Sequence, residues 1–222
     1  MKSKISSLEE VEEILRGLGE LLSEPVQVLI IGGAAMLQHG LKDVTKDIDL
    51  VCKDASGKAR ILEAARSLGF SVIGPEKRHA RLGLDRIAVK GGHTLDILAG
   101  RISYDFGLSA TIWERGKTTR LLGKAEVRFA AAEDIFILKL IANRPRDMED
   151  CIALAAAGMD FETIYSEIKT QCSKPGSVEE KIWITYLEEG IGRLEDDYSM
   201  DISIADKISE LANEYRARLY QI

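Results

Sequence analysis

The sequence predicts an α+β protein, in which a small mixed β-sheet with flanking helices precedes an all-helical C-terminal part. Two observations predict this class. Up to about residue 130, short apolar runs that suit strands alternate with segments of helical periodicity. From Ala131 onward the pattern is almost wholly helical. We therefore expect a head domain, residues 1–130, and a helical domain, residues 131–222.

The first elements of the head domain follow from periodicity and from turn residues. A helix is expected over residues 7–23, because apolar residues recur there at helical spacing after Ser7, a candidate N-cap. Glycines or polar loops then separate five further elements: a strand at 27–31, a short helix at 33–38, a strand at 47–53, a helix at 57–68 and a strand near 70–73.

Double glycine predicts a hairpin in the next segment. Gly91-Gly92 lies between the extended runs 86–90 and 94–98, and glycine supplies the positive φ angles of a tight turn. The remaining elements carry similar signals: a helix at 109–115, strands at 118–122 and 125–130, and helices at 131–143, 145–157, 160–172, 177–195 and 202–220.

Composition and charge exclude several classes of protein. The net charge is −6, and residues 177–222 carry eleven acidic against five basic side chains, so the rest of the chain is balanced. This balance argues against a uniformly basic nucleic-acid binder. Since no apolar run reaches about 18 residues, we expect no membrane-spanning helix. Three scattered cysteines without CxxC spacing predict reduced thiols in a cytoplasmic protein.

Three aspartates interrupt apolar strands. Asp47 and Asp49 are two residues apart on one predicted strand and therefore project from the same face of the sheet. Carboxylates held this close repel each other unless a cation lies between them. Asp96 repeats the pattern in the run TLDIL, and it joins the pair if its strand is adjacent. Such a set suits Mg²⁺ or Mn²⁺, which carboxylates and substrate phosphates bind together.

A pair of glycines precedes the aspartates. Gly32 and Gly33 lie where a buried strand turns into a helix. Backbone N–H groups at such a turn are not covered by side chains, and the helix N-terminus favours an anion. The pair therefore predicts a phosphate site beside the predicted metal site, although an ordinary strand-to-helix turn would need glycine too.

Together these segments resemble the nucleotidyltransferase superfamily of DNA polymerase β. The resemblance lies in a GG pair, thirteen intervening residues, the DxD of Asp47 and Asp49, and a third aspartate on a later strand. The stretches GGAAMLQHG, DIDLV and EDIFILKLIANRPRDMEDCIAL are similar to the abortive-infection (AbiEii toxin-like) type, which includes toxins of toxin–antitoxin pairs. The resemblance covers roughly residues 28–155.

The resemblance implies transfer of a nucleoside monophosphate from an NTP to an acceptor hydroxyl, with release of pyrophosphate. Two Mg²⁺ or Mn²⁺ ions would be held by Asp47, Asp49 and Asp96, the last of which would also help to deprotonate the acceptor. The acceptor could be an RNA 3′ end, a protein or a small molecule. The triphosphate would be bound by two backbone and three side-chain contributors: Gly32, Gly33, Lys139, Arg144 and Arg146.

Two other functions are compatible with the sequence. Ala34-Ala35 follows the glycines where many relatives have a small hydroxyl residue, and Asp43 stands where relatives often carry arginine. These departures favour a catalytically weakened nucleotide-binding or interaction module, for example one with an antitoxin-like protein partner. An unrelated metal-dependent phosphohydrolase would also use clustered aspartates. The motifs leave the base, the acceptor and the oligomeric state open.

Several of these residues also have a purely structural interpretation. Asp47 and Asp49 would then face solvent on an edge strand, and Asp96 would cap a turn or pair with Arg86. Lys139 either extends to the surface or points into a polar cleft, and we favour the cleft.

Charged residues elsewhere are given structural roles. Asp147 and Asp150 are expected to satisfy a helix end and to orient Lys139. A basic cluster is expected to be a solvated loop, with phosphate contact as the alternative; it consists of Lys77, Arg78, His79, Arg81, Arg86 and Lys90.

Overall fold

A computed structural model describes residues 4–74, 84, 86–174 and 181–220 of the chain. The described residues form one mixed sheet of nine strands. The strands are β1 (Val26–Ile31), β2 (Asp47–Cys52), β3 (Ser71–Ile73), β4 (Ile87–Lys90), β5 (His93–Ala99), β6 (Arg101–Ser103), β7 (Phe106–Gly107), β8 (Thr119–Leu122) and β9 (Ala125–Phe129).

The order of the strands brings distant parts of the chain together. It runs β3-β4-β5-β2-β1-β9-β8, with β6 attached to β5 and β7 to β6. Two pairings are parallel, β2 with β5 and β1 with β9, and the other pairings are antiparallel. Strand β2 therefore lies in the interior of the sheet, between β1 and β5, and not at its edge.

Nine helices are present in the described ranges. They are α1 (Leu8–Leu21), α2 (Gly32–Gln38), α3 (Ala55–Ser67), α4 (Ala110–Arg115), α5 (Ala132–Ala142), α6 (Pro145–Ala156), α7 (Phe161–Ser173), α8 (Trp183–Tyr198) and α9 (Ala205–Leu219). Four of them begin at side-chain caps: Ser7, Asp54, Ser109 and Asp160 each accept a hydrogen bond from a backbone N–H of the first turn.

Helix α5 links the sheet to the C-terminal helices. It contacts α2 and β6 on one side and α6, α7 and α8 on the other. Its apolar residues are buried almost all round, among them Ile135, Phe136 and Leu140. A helix that is apolar on every face must be covered on every face. The buried apolar side chains accordingly form one continuous core that runs from the sheet through α5 into α8 and α9.

The predicted fold class is confirmed, with a mixed sheet, flanking helices and C-terminal helices. The strands end at Phe129, and every described element after it is a helix. The division into domains at residue 130 stays a prediction. The glycine hairpin between β4 and β5 is also confirmed, because both Gly91 and Gly92 have positive φ angles.

Several elements differ from the prediction. Helix α3 begins at Ala55, two residues early, because Asp54 caps it. Strands β6 and β7 were not predicted, since two or three residues are too few to show a period. Helix α8 covers Trp183–Tyr198 and not 177–195, and it ends where Ser199 takes a left-handed conformation. Residues 177–180 of that predicted helix lie outside the described ranges. No helix in the described part of the chain is long and apolar enough to cross a bilayer.

Candidate active site

The three predicted aspartates lie on two neighbouring interior strands. In the parallel pair β2–β5, Asp49 is directly opposite Asp96, and Asp47 is opposite Thr94. Opposed residues on paired strands share a face of the sheet, and so do residues two apart on one strand. All three carboxylates therefore emerge on the same face, as the sequence predicted.

The glycine pair lies against this acidic face. Gly32 begins α2 with a φ angle of +63°, and a Cβ atom built on it would come within 2.4 Å of Asp49 Oδ2. A Cβ atom on Gly33 would come within 2.5 Å of Thr45 Oγ1. Both positions therefore need glycine for close approach, and Gly32 needs it for its conformation as well. The close approach brings the backbone at the start of α2 against the Asp49 carboxylate.

Asp49 is electrostatically unfavourable in its ionised form. Burial raises its pKa from 3.8 to about 6, and the neighbouring charge of Asp47 adds to the shift. Arg144 and Lys139 act in the opposite sense, without cancelling it. A carboxylate in this condition gains from any further positive charge placed beside it.

These carboxylates fit a metal site that the substrate completes. Among the described residues, no three His, Cys, Asp or Glu side chains are grouped so that they could hold a metal ion by themselves. Asp47 and Asp96 have other interactions in the folded chain. Mg²⁺ is usually bound by one or two carboxylates together with water and substrate phosphates and not by a cage of protein ligands alone. The pair Asp47 and Asp49, at an acidic and partly buried position, suits that mode of binding.

Lys139 is buried in a chain of alternating charges. Its Nζ donates to Asp147 Oδ1 at 2.9 Å and to Asp150 Oδ2 at 2.6 Å. Asp150 also accepts from Lys42 Nζ at 2.6 Å, and Asp147 accepts from Arg144 Nε at 2.6 Å. Burial by itself lowers the pKa of Lys139, but the two aspartates outweigh it and raise the pKa. The expectation that Asp147 and Asp150 orient Lys139 is confirmed.

A cleft of about 80 Å³ joins the acidic face to α5. Its lining has a polar part made by Gly32, Asp49, Lys139 and Arg144. The rest is mostly apolar, with one further hydroxyl: Ile31, Leu84, Leu98, Ile102, Ser103, Ile135, Leu138 and Ala142. Of the five predicted phosphate contributors, Gly32, Lys139 and Arg144 line this cleft. Gly33 and Arg146 do not, and Arg146 is exposed on α6.

Lys139 and Arg144, the two cationic side chains that line the cleft, differ in how readily they could contact a ligand. Lys139 is 8% exposed and is held by two carboxylates, whereas the Arg144 side chain is 62% exposed and has one carboxylate partner, Asp147. Arg144 also acts electrostatically on Asp49, since its charge lowers the pKa of that carboxyl group. Arg144 can therefore reach a ligand more readily than Lys139 can.

Sequence reasoning missed a second buried charge cluster, which joins α4 to helices α5 and α7. Arg115 of α4 pairs with Asp134 of α5 at 2.5 Å and with Glu167 of α7 at 2.8 Å. The Glu167 carboxylate also accepts from the hydroxyls of Ser109 and Thr111 and from Gln171 Nε2. Burial raises the pKa of Glu167, but these donors outweigh it and lower the pKa. The cluster is formed by residues far apart in the sequence, so no local pattern reveals it.

Lys90, His39 and Trp183 have structural roles. Lys90 donates to the Leu68 carbonyl at 2.6 Å, and His39 Nε2 lies 2.8 Å from the Ala130 carbonyl oxygen. Trp183 packs edge-on against Phe106. The four members of the basic cluster that precede Leu84 lie outside the described residues: Lys77, Arg78, His79 and Arg81.

No protein-family model matches the chain, and no curated protein sequence matches it. Three solved structures that align with it are nucleotidyltransferases or nucleotidyltransferase-like. The solution structure of the antibiotic-resistance factor ANT(2'')-Ia aligns over 86% of this chain and 96% of its own, with 14% identity and a TM-score of 0.41. Its crystal structure in complex with adenylyl-2''-tobramycin covers 96% and 98%, with 15% identity and a TM-score of 0.41.

An antigenic nucleotidyltransferase-like protein from Paracoccidioides brasiliensis aligns over 93% of this chain and 95% of its own, with 16% identity and a TM-score of 0.46. At these TM-scores the likeness is loose. The function of the chain therefore has to be inferred from the cleft and from the motifs that form it.

Proposed function

We propose that the chain is a metal-dependent nucleotidyltransferase, which moves a nucleoside monophosphate from an NTP to an acceptor hydroxyl and releases pyrophosphate. One observation carries the proposal: Asp49 and Asp96 lie side by side on β2 and β5, and the backbone of Gly32 lies against the Asp49 carboxylate. Acidic metal ligands and a glycine turn are thereby adjacent, in the order of the superfamily motif.

The aspartates have distinct proposed roles. Asp47 and Asp49 would hold Mg²⁺ or Mn²⁺, and bound divalent metal at such a site supplies charge stabilisation for the attacking and leaving oxygens. Asp96 would complete the acidic set and accept the proton of the acceptor hydroxyl. Because Asp96 is opposite Asp49, an acceptor hydroxyl bound at Asp96 would lie close to a phosphate bound at Asp49.

The triphosphate would lie on the glycine side of the aspartates. The backbone N–H groups of Gly32 and Gly33 would bind the β- and γ-phosphates, and Arg144 would approach from the rim of the cleft. Lys139 would contribute its charge from a fixed position between Asp147 and Asp150. The acceptor is proposed to be an RNA 3′ end, a protein or a small molecule.

Calorimetric titration with each of the four NTPs, in Mg²⁺ and in Mn²⁺, tests the proposal. We expect metal-dependent binding of at least one NTP by the wild type and none by Asp47→Ala/Asp49→Ala. Asp196→Ala, an exposed aspartate of α8 that does not line the cleft, is the matched control and should bind as the wild type does. NTP binding that is the same in the wild type and in Asp47→Ala/Asp49→Ala would contradict the proposal.

A weakened module is the second candidate, and one observation favours it. The cleft of about 80 Å³ is much smaller than the roughly 300–1,000 Å³ of ordinary ligand sites. A chain that binds no NTP in the same titrations would fit an interaction module, for example one that an antitoxin-like protein recognises.

A further inference from the structure

A buried hydroxyl in the cleft lacks a hydrogen-bond partner. Ser103, the last residue of β6, is 4% exposed, and its Oγ makes no hydrogen bond within the described part of the chain. Buried polar groups in folded proteins are almost always paired, so an exception calls for an explanation. Ser103 lines the same cleft as Asp49 and Arg144. Ser103 is therefore part of the wall of the cleft that would hold a ligand.

The fold satisfies comparable hydroxyls elsewhere. Thr45, 8% exposed, donates to the Asp47 carbonyl at 3.0 Å. Ser109, also 8% exposed, donates to Glu167 at 2.8 Å and accepts from the N–H of Ile112 at 3.0 Å. Ser103 thus differs from these two buried hydroxyls, because its Oγ has no hydrogen-bond partner among the described residues.

The register of the sheet shows on which side of the aspartates Ser103 lies. Ile31 is opposite Asp49 in the antiparallel pair β1–β2, so Gly32 continues towards the level of Asp47. On β5, Leu98 is two residues beyond Asp96 in the other direction, about 6–7 Å along the strand. Strand β6 then folds back beside Ala99 and carries Ser103. The glycines therefore lie on the Asp47 side of the Asp49–Asp96 pair, whereas Leu98, which lines the cleft together with Ser103, lies on the other side.

The surroundings of Ser103 suit a flat ring with a polar edge. Leu98, Ile102, Ile135 and Leu138 line the cleft with it, so an apolar surface surrounds a single hydroxyl. In an NTP, the nucleoside follows the α-phosphate on the side away from the β- and γ-phosphates. With those two phosphates at the glycines and the α-phosphate at the aspartates, the nucleoside reaches the Ser103 side.

We propose that Ser103 Oγ forms a hydrogen bond with the nucleoside of the bound NTP and contributes to the choice of nucleotide. This inference rests on the proposed nucleotidyltransferase function. Ser103 lies outside the sequence motifs, and those motifs bind the phosphates and the metal, not the nucleoside.

The variant Ser103→Ala tests this role against two ligands in Mg²⁺, the preferred NTP and inorganic tripolyphosphate. One neutral hydrogen bond contributes roughly a threefold to tenfold factor in affinity. We expect the Kd for the NTP to rise by about that factor and the Kd for tripolyphosphate, which has no nucleoside, to stay unchanged. The ligand-free variant should be at least as stable as the wild type in thermal unfolding, because it loses a buried unpaired hydroxyl.

Ser109→Ala is the matched control. Its hydroxyl is buried and paired outside the cleft, so this variant should lose stability and keep the affinity of the wild type for the NTP. An unchanged Kd for the NTP in Ser103→Ala, or an equal loss for both ligands, would overturn the inference while leaving the proposed function in place. Failure of the wild type to bind any NTP would instead remove the proposed function, and this inference with it.

Discussion

Among the aspartates of the proposed site, Asp49 is the one whose surroundings most clearly disfavour the ionised carboxylate. Burial and Asp47 raise its pKa to about 6, whereas an aspartate in the unfolded chain has a pKa of 3.8. Between these two values the folded state binds more protons than the unfolded state does. Stability therefore falls as the pH rises from about 4 to about 6, and the loss is complete above the folded pKa.

The variant Asp49→Asn should consequently stabilise the metal-free protein at pH 7. We expect a gain on the order of 1–2 kcal/mol in the free energy of unfolding at pH 7, and little gain at about pH 3, where the wild-type carboxyl group is largely protonated in both states. Denaturant unfolding in EDTA at the two pH values measures this. Asp43→Asn, at an exposed position, should change little at either pH. A loss of stability at pH 7 in Asp49→Asn would contradict the electrostatic argument.

Gly32 permits a contrast between backbone strain and steric conflict. Gly32 and Gly40 have φ angles of +63° and +68°, but a Cβ atom on Gly40 meets nothing within 4 Å. Gly40→Ala should therefore cost only the strain of the left-handed conformation, about 1–2 kcal/mol. Gly32→Ala should cost more, because its methyl group also displaces the Asp49 carboxylate, and it should abolish metal-dependent NTP binding. Equal losses of stability in the two variants would show that the contact with Asp49 does not matter.

At the scale of elements, alternating charges hold α5, α6 and the loop before β2 together. Asp147 is 2% exposed and compensates both Lys139 and Arg144. Its removal leaves Lys139 buried with fewer counter-charges, and breaking a buried pair in this way typically costs about 3–5 kcal/mol. We expect a loss of this size from Asp147→Ala in denaturant unfolding. Glu149→Ala, at an exposed position of the same helix, should stay within about 0.5 kcal/mol of the wild type.

How well these features could be predicted depended on how far apart in the sequence the interacting residues are. The pairing of Asp49 with Asp96 could be anticipated, because each carboxylate interrupts a local apolar run and a hairpin signal adjoins the second run. The charge chain from Lys42 to Arg144 was only partly anticipated, because Lys42 and Asp150 are brought together by the docking of α6. Ser103 could not be anticipated at all, since a three-residue strand has no period and a missing hydrogen bond leaves no mark in a sequence.

At the scale of the whole molecule, the cluster around Glu167 joins α4, which follows the sheet strands β6 and β7, to helices α5 and α7. Because its carboxylate is fully buried and accepts four side-chain donors, Glu167→Gln should lower the free energy of unfolding by about 2–4 kcal/mol. Glu162→Gln on the same helix removes an exposed pair with Lys207 and should cost about 0–1 kcal/mol. Thermal and denaturant unfolding of the two variants would reveal the difference, and similar losses would contradict it.

The parallel pairing of β1 with β9 has a consequence for biosynthesis. Val26 is paired with Ala125, so the edge of β1 that binds β9 has no partner until the ribosome has added about a hundred further residues. During that interval β1, whose residues Val28 and Ile30 are buried in the finished sheet, can pair along one edge only, with β2. Contacts this far apart in sequence slow folding and expose incomplete sheets to aggregation. We therefore expect translation arrested before residue 125 to yield chains that chaperones retain, and arrest well beyond residue 129 to yield chains that are released.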